Sequence, residues 1–267
     1  MTNVSAGLAD MKSQFLSFPT DVETVLETKE GFLRYGQFRG ALGAIDGTHF
    51  MIKPPSINED AYVCRKNFHS INCQVICDHE LLFTDLVVAW PGSTHDNAIW
   101  KHCGVKRLLE NYRQETVADA WLLGDSGYPP RDNMMVALDD PQTDAERAFN
   151  RSLKRCRCSI ERALGTVKSR FRALDRKSSG AIQYDCAVAS NIITACFVLH
   201  NYCRVRNINI SIDPVVLAQV GREMEEDARY HRQHGRAVEA DELDHDDTDL
   251  LIRGIAARQR VINTFRV

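Results

Sequence analysis

Residues 41–53, ALGAIDGTHFMIK, read as a β-strand that contains one acid, Asp46. The small and β-favouring residues predict an extended backbone, with a possible kink at Asp46-Gly47, where glycine relaxes the chain. Two further β-rich runs follow at 70–77 and 81–90, and a short polar turn joins them. The spacing predicts a hairpin beside the first strand, and thus the antiparallel half of a sheet.

The chain beyond this hairpin alternates between helical and extended patterns. A helix is predicted at 98–112, and the apolar run WLL at 121–123 predicts a short buried strand. Two longer helices are predicted at about 144–175 and 185–205. The order β-β-β-α-β-α-α indicates an α/β fold with a mixed sheet flanked by helices.

The composition fits a folded globular protein. The chain has 267 residues, 44% of them hydrophobic and 26% charged, which corresponds to one large domain or two small ones. The first residues lack the apolar core of a signal peptide, and the longest mostly apolar stretch, 187–199, is too short to span a bilayer, so no membrane association is expected. Nine cysteines without a CxxC pair indicate free thiols in a reducing compartment.

The charge is strongly partitioned along the chain, although its sum is only −3. Residues 147–177 contain eleven Lys or Arg against two acids, whereas residues 223–249 contain eleven acids against three arginines. The near-neutral total excludes a uniformly basic coat for nucleic acid. It leaves room for a local basic stripe in the middle of the chain and an acidic tail.

The basic helix has a clear apolar stripe and one carboxylate beside it. The stripe consists of residues spaced by three or four: Ile160, Leu164, Val167 and Phe171. Glu161 lies one position round the helix from this stripe, and Arg157 precedes it by one turn. The pair fits either an Arg157–Glu161 ion pair of a few tenths of a kcal/mol or a functional carboxylate next to the sheet.

Three carboxylates lie at the ends or edges of predicted elements. Asp46 is at or near the end of the first strand, Asp125 directly follows the short apolar strand, and Glu161 is on the basic helix. If these elements are neighbours, the like charges repel unless divalent cations lie between them, and such oxygen ligands suit two Mg²⁺ or Mn²⁺ ions. Asp96 is a weaker candidate, because an acid in a first helical turn also complements the helix dipole.

Several long blocks of the sequence, in order, resemble the PIF/Harbinger superfamily of DDE transposases, and most closely its transposase-derived nucleases. The blocks are GAIDGTH (43–49), RKNFHSINCQVICD (65–78), AWPGSTHDNAIW (89–100), LLGDSGYP (122–129), NRSLKRCRCSIERALGTVKSRFRAL (150–174) and VLHNYC (198–203). The resemblance implies an RNase H-like fold and metal-dependent DNA strand cleavage. It also implies that Asp46, Asp125 and Glu161 are the first, second and third catalytic acids and hold the metal ions.

The resemblance has further implications for ligands and partners. It implies DNA as the substrate, a nuclear location (with cytoplasm if delivery depends on a partner), and a Myb-like or other DNA-binding protein as partner, with homo-oligomers possible. Basic residues near the family blocks are candidate contacts to DNA phosphates. They are Arg65, Lys66, Arg157, Lys168 and Arg172.

We expect three regions along the chain. Residues 1–40 form a lead-in without the complete helix-turn-helix that precedes the catalytic block in family transposases, and residues 41–205 form the nuclease domain. Residues 206–267 form an acidic tail, possibly flexible, with no clear apolar stripe before residue 250.

Two other functions compete with the nuclease. A catalytically silent, domesticated descendant would serve as a DNA-associated or protein-binding scaffold. A hydrolase of small phosphorylated molecules is less favoured, because the chain lacks a GxxxxGKS/T phosphate loop.

Overall fold

The computed structural model describes residues 2–114, 119–208, 211, 213–233 and 245–265. Its strands are β1 (Ala41–Met51), β2 (Ser70–Cys77), β3 (Phe83–Pro91), β4 (Trp121–Leu123) and β5 (Met134–Met135). Its helices are α1 (Thr2–Asp10), α2 (Lys12–Phe15), α3 (Val22–Gly36), α4 (Asp96–Lys101), α5 (Gly104–Gln114), α6 (Asp144–Arg170), α7 (Arg176–Ser179), α8 (Cys186–Val205), α9 (Pro214–Gln233) and α10 (His245–Asn263). Short 3-10 helices lie at Glu59–Tyr62 and Arg172–Leu174.

The five strands form one mixed sheet in the order β3-β2-β1-β4-β5. β1 pairs antiparallel with β2 and parallel with β4, and β2 and β3 form the predicted hairpin. The prediction of a mixed α/β sheet flanked by helices is therefore confirmed. The narrower description of the fold as RNase H-like stays a prediction.

The central strand β1 buries side chains on both faces of the sheet. Ala44 and Phe50 point to the face covered by α6 and α8, whereas Ile45 points to the face covered by α4 and α5. Successive side chains of a strand alternate between the two faces, so Asp46 lies on the same side as Ala44, towards α6. The predicted stripe of α6 packs against this face.

Two local expectations differ from the structure. β1 keeps one register with β2 from Ala44 to Met51, so the predicted kink at Asp46-Gly47 is wrong; the glycine provides space for a neighbouring side chain instead. The single helix predicted at 98–112 is two helices, α4 and α5, which meet just before Gly104. Glycine has low helix propensity, and the break lets Trp100 and Leu109 enter the same core.

The acidic tail contains two helices that pack on the core. Val216, Val220 and Met224 are spaced by four along α9, and Val220 is 2% exposed. The stripe therefore begins well before residue 250, contrary to expectation, since three apolar residues among acids give only a weak periodic signal. On α10, Ala257 and Val261 are also buried. The boundaries of the three regions stay a prediction.

Helix α8 is a core helix that also carries buried polar groups. By length and composition it could cross a membrane, but in the fold its Phe197 packs on the sheet. The Oδ1 atom of Asn201 accepts the N–H of Phe83 at 3.0 Å, and its Nδ2 donates to the carbonyls of Phe83 at 2.7 Å and Phe15 at 2.8 Å. Burial lowers the pKa of His200 to about 4, so its neutral ring donates from Nε2 to the Leu81 carbonyl.

Candidate active site

Asp46 is the buried centre of the site. Its carboxylate lies on the α6 side of β1, where Oδ1 is 3.4 Å from Nη2 of Arg157. Burial raises the pKa of Asp46 well above its ordinary value; the guanidinium of Arg157 lowers it, and the carboxylates of Asp125 and Asp96 raise it again. The fold therefore holds the Asp46 carboxylate in a buried place, where ionisation costs free energy, and the charges of further acids add to that cost.

Asp125 reaches the same place from the neighbouring strand. β4 runs parallel to β1, with Leu123 opposite Ala44. Asp125 lies two residues after Leu123, and Asp46 lies two residues after Ala44, so the two acids lie at the same level. The Oδ1 atom of Asp125 accepts the N–H of Gly127 at 2.9 Å, which fixes the turn after the strand. The strand register therefore places Asp125 at the level of Asp46, whereas the convergence of all three predicted acids stays a prediction.

Asp96 joins these acids from the start of α4. A Cβ atom on Gly47 would lie 2.3 Å from its Oδ1, so the missing side chain at position 47 is what lets the carboxylate sit against β1. Nδ2 of Asn72 donates to the same oxygen at 2.9 Å. Burial raises the pKa of Asp96 to about 6; the bond from Asn72 lowers it and Asp125 raises it.

Asp96 therefore makes specific tertiary contacts, which an acid that only complements a helix dipole does not need. The sequence pattern underestimated it because its partners, Gly47 and Asn72, are distant along the chain.

Glu161 is placed differently from the other predicted acids. It is half-buried on α6, where burial raises its pKa and Arg157 and Lys154 lower it. Within the described residues, the ion pair of Arg157 is with Asp46 and not with Glu161. Arg157 thus contributes to the electrostatics of both Asp46 and Glu161, and the two carboxylates do not share one compact group.

The donor chemistry of the site suits a divalent cation. Carboxylate oxygens are the ligands that Mg²⁺ and Mn²⁺ prefer, and buried like charges this close need a counter-charge. Oδ1 of Asn72 is buried beside Asp96 without a hydrogen-bond partner among the described residues. Those residues contain no group of three or more His, Cys, Asp or Glu side chains already arranged to hold a metal ion. The residue types therefore fit a divalent cation, but the described side chains are not arranged as a complete set of ligands.

Four of the predicted phosphate contacts form ion pairs with carboxylates of the chain. Nζ of Lys66 is 2.8 Å from Asp227 on α9, and Arg65 contacts the same carboxylate. Lys168 is only 5% exposed, and its Nζ is 3.6 Å from Glu223. Arg157 pairs with Asp46, and Arg172 is exposed.

Comparisons with known proteins identify the family of the chain. A family model described as DDE superfamily endonuclease matches residues 45–201. The protein named "Putative nuclease HARBI1" from Rattus norvegicus is 35% identical over 215 residues, which cover 80% of this chain and 60% of that protein. The protein of the same name from Homo sapiens is 32% identical over 243 residues, which cover 91% of this chain and 68% of that protein.

A more distant relative comes from Arabidopsis thaliana. "Protein ALP1-like" is 26% identical over 199 residues, which cover 67% of this chain and 48% of that protein. No solved structure gives a significant match. The chain spans about 60% of the length of the rodent relatives. Because the family model covers more than half of the chain and several relatives exceed 30% identity, the chain belongs to the DDE superfamily endonucleases.

Proposed function

We propose that the protein is a transposase-derived, metal-dependent nuclease that cleaves phosphodiester bonds in DNA. The observation that carries the proposal is that Asp46 and Asp125 lie level on adjacent parallel strands, with Asp96 packed against Gly47 next to Asp46. Burying mutually repelling carboxylates costs folding free energy, so their arrangement favours a ligand-binding role over a structural one. Family membership adds the reaction class.

In this proposal Asp46, Asp125 and Glu161 hold two divalent ions, Mg²⁺ or Mn²⁺, and Asp96 supports the same site. When bound, such ions supply Lewis-acid stabilisation of a phosphoryl oxygen and a more acidic water. Asp46 provides a fixed anionic anchor from the middle of the sheet. Arg157 offsets its charge within the protein itself, and Glu161 on α6 is the remaining carboxylate near that guanidinium.

The basic residues supply the DNA contacts of this proposal. Arg65, Lys66, Arg157, Lys168 and Arg172 would bind phosphate oxygens, which hold a duplex in place without reading its sequence. We further propose that a Myb-like or other DNA-binding partner supplies target selection and delivery to the nucleus. Homo-oligomers would be a second route to a larger DNA interface.

The test is cleavage of supercoiled plasmid and short duplex DNA in Mg²⁺, in Mn²⁺ and in EDTA. We expect nicking in either metal and none in EDTA, because carboxylates alone do not stabilise the anionic transition state. The assay is run with and without a Myb-like protein. Cleavage that continues unchanged in EDTA contradicts the proposed chemistry.

One feature of the site favours a second function, a catalytically silent scaffold that binds DNA or a protein. The guanidinium of Arg157 already neutralises Asp46, and the described acids are not closed around an ion. A folded protein that binds DNA, but cleaves none in either metal with or without the partner, would fit this alternative.

Asp96 offers a sharper test of the site. We expect Asp96→Asn to lower both cleavage and Mn²⁺ affinity by roughly ten- to a hundredfold, the usual effect of losing a supporting group beside a metal site. The amide keeps the shape of the side chain beside Asn72 and removes its charge. Asp60→Asn, at an exposed position, is the control. Calorimetric titration with Mn²⁺ that shows equal affinity in the two variants would exclude Asp96 from the site.

A further inference from the structure

Helix α9 lies over the basic residues beside the site with its acidic side facing them. Asp227 pairs with both Arg65 and Lys66, and Glu223, one turn earlier, pairs with Lys168. Three of the five candidate phosphate contacts are therefore held by two carboxylates of a single helix. Residues four apart on a helix lie about 6 Å apart along its axis, a spacing close to that of successive phosphates on a nucleic-acid strand.

The two halves of α9 are held in different ways. In the first half, Val216 and Val220 are buried in the core, and the side chain of Leu217 fills the space above Gly165 of α6. From Glu223 onward the polar contacts are the ion pairs and a hydrogen bond from Oγ of Ser126 to the Ala228 carbonyl at 3.0 Å. The first half is an apolar anchor, and the second half is held by the ion pairs and by the half-buried side chain of Met224.

The second half also reaches the carboxylates themselves. Asp227 lines the same cleft as Gly47, Asn72 and Asp96. Its charge adds to those that raise the pKa of Asp46 and of Asp96. A carboxylate at this position therefore increases the repulsion within the site while it occupies the cations that would attract DNA. The ring of Tyr230 lies under the guanidinium of Arg65, 4.6 Å away, and covers it further.

We propose that Arg65, Lys66 and Lys168 form a binding site for the phosphodiester backbone of DNA, and that the second half of α9, residues 223–233, is a strap that occupies it through Glu223 and Asp227. DNA binds when its phosphates replace these carboxylates and the strap lifts from its anchored first half. The inference rests on the proposed function insofar as it takes DNA as the ligand.

The first test compares two variants that each remove one negative charge from α9. Asp227→Asn removes the charge that holds Arg65 and Lys66, whereas Glu226→Gln removes an exposed charge on the same helix. We expect Asp227→Asn to bind a short fluorescent duplex roughly three- to tenfold more tightly than Glu226→Gln, as expected from releasing two partly exposed ion pairs. Fluorescence anisotropy in EDTA measures affinity without cleavage.

The second test is hydrogen exchange of the whole chain with and without the same duplex. We expect DNA to increase exchange at backbone amides of residues 223–233 and to leave residues 216–220 protected. Equal affinities of the two variants, or unchanged protection of residues 223–233, would overturn the strap.

The outcome is distinguishable from failure of the proposed nuclease function. A protein that shows the affinity difference and the strap exchange but cleaves no DNA supports this inference and contradicts only the nuclease. Absence of DNA binding in the wild type and in both the Asp227→Asn and Glu226→Gln variants contradicts the strap and the proposed nuclease function.

Discussion

Replacing Asp46 by asparagine is expected to lower metal-dependent DNA cleavage by about a thousandfold or more, equivalent to roughly 4 kcal/mol of transition-state stabilisation. The side chain is buried in the central strand, and acids from two other elements surround it. Asparagine keeps the shape of the side chain but supplies a neutral oxygen in place of an anionic one. It therefore cannot balance divalent cations.

DNA affinity of the Asp46→Asn variant is expected to remain close to that of the wild type. Asp46 pairs with Arg157, which is one of the candidate phosphate contacts, whereas Arg65, Lys66 and Lys168 pair with carboxylates of α9 and keep their positions when the Asp46 charge is removed. Plasmid nicking and duplex anisotropy, measured on the same preparation, separate the two effects. Asp140→Asn, at an exposed loop position, is the matched control. Cleavage that persists in the Asp46 variant would remove it from the catalytic set.

The largest effect on stability is expected at Asn201. Its amide satisfies the N–H and the carbonyl of Phe83 on the edge strand β3 and the carbonyl of Phe15. Asn201→Ala would leave these buried or half-buried groups unpaired, at a cost of about 1–3 kcal/mol for each buried group. We expect the free energy of unfolding to fall by about 3–5 kcal/mol, a large part of the total for a typical domain.

Urea unfolding followed by circular dichroism measures this change. Asn191→Ala, at a half-buried position on the same helix, controls for the loss of an asparagine from α8. A decrease no larger than that of the control would show that solvent or backbone shifts replace the lost bonds. In that case Asn201 would not be the residue that holds the edge strand to the helix.

Local patterns were sufficient to predict most of the central fold. The apolar runs of β1 and β4 could be read from the sequence, whereas Asp46 and Asp125 stood out among the many acids through the resemblance of their motifs to the family. The stripe of α6 could be read from spacing alone, since its buried residues recur every three or four positions. These features depend on neighbours along the chain, so the sequence contains the information directly.

Features that depend on distant neighbours were harder to predict. Gly47 leaves space that the side chain of Asp96 fills. The sequence does not show this contact, so from the sequence alone the glycine indicates a kink in the strand. The docking of α9 depends on pairing acids in the tail with cations more than fifty residues away, and its apolar stripe is short. The position of Glu161 relative to Asp46 depends in the same way on tertiary packing.

The central place of β1 in the sheet has a consequence for how the site can move. A strand with partners on both sides opens only when much of the domain unfolds, whereas a peripheral helix held by charge can open at a small fraction of that free energy. We therefore expect Asp46 to move only on the timescale of domain unfolding and the second half of α9 to open on a much faster one. In the proposed mechanism, an acid fixed in the central strand is combined with an entrance whose opening depends on ionic strength.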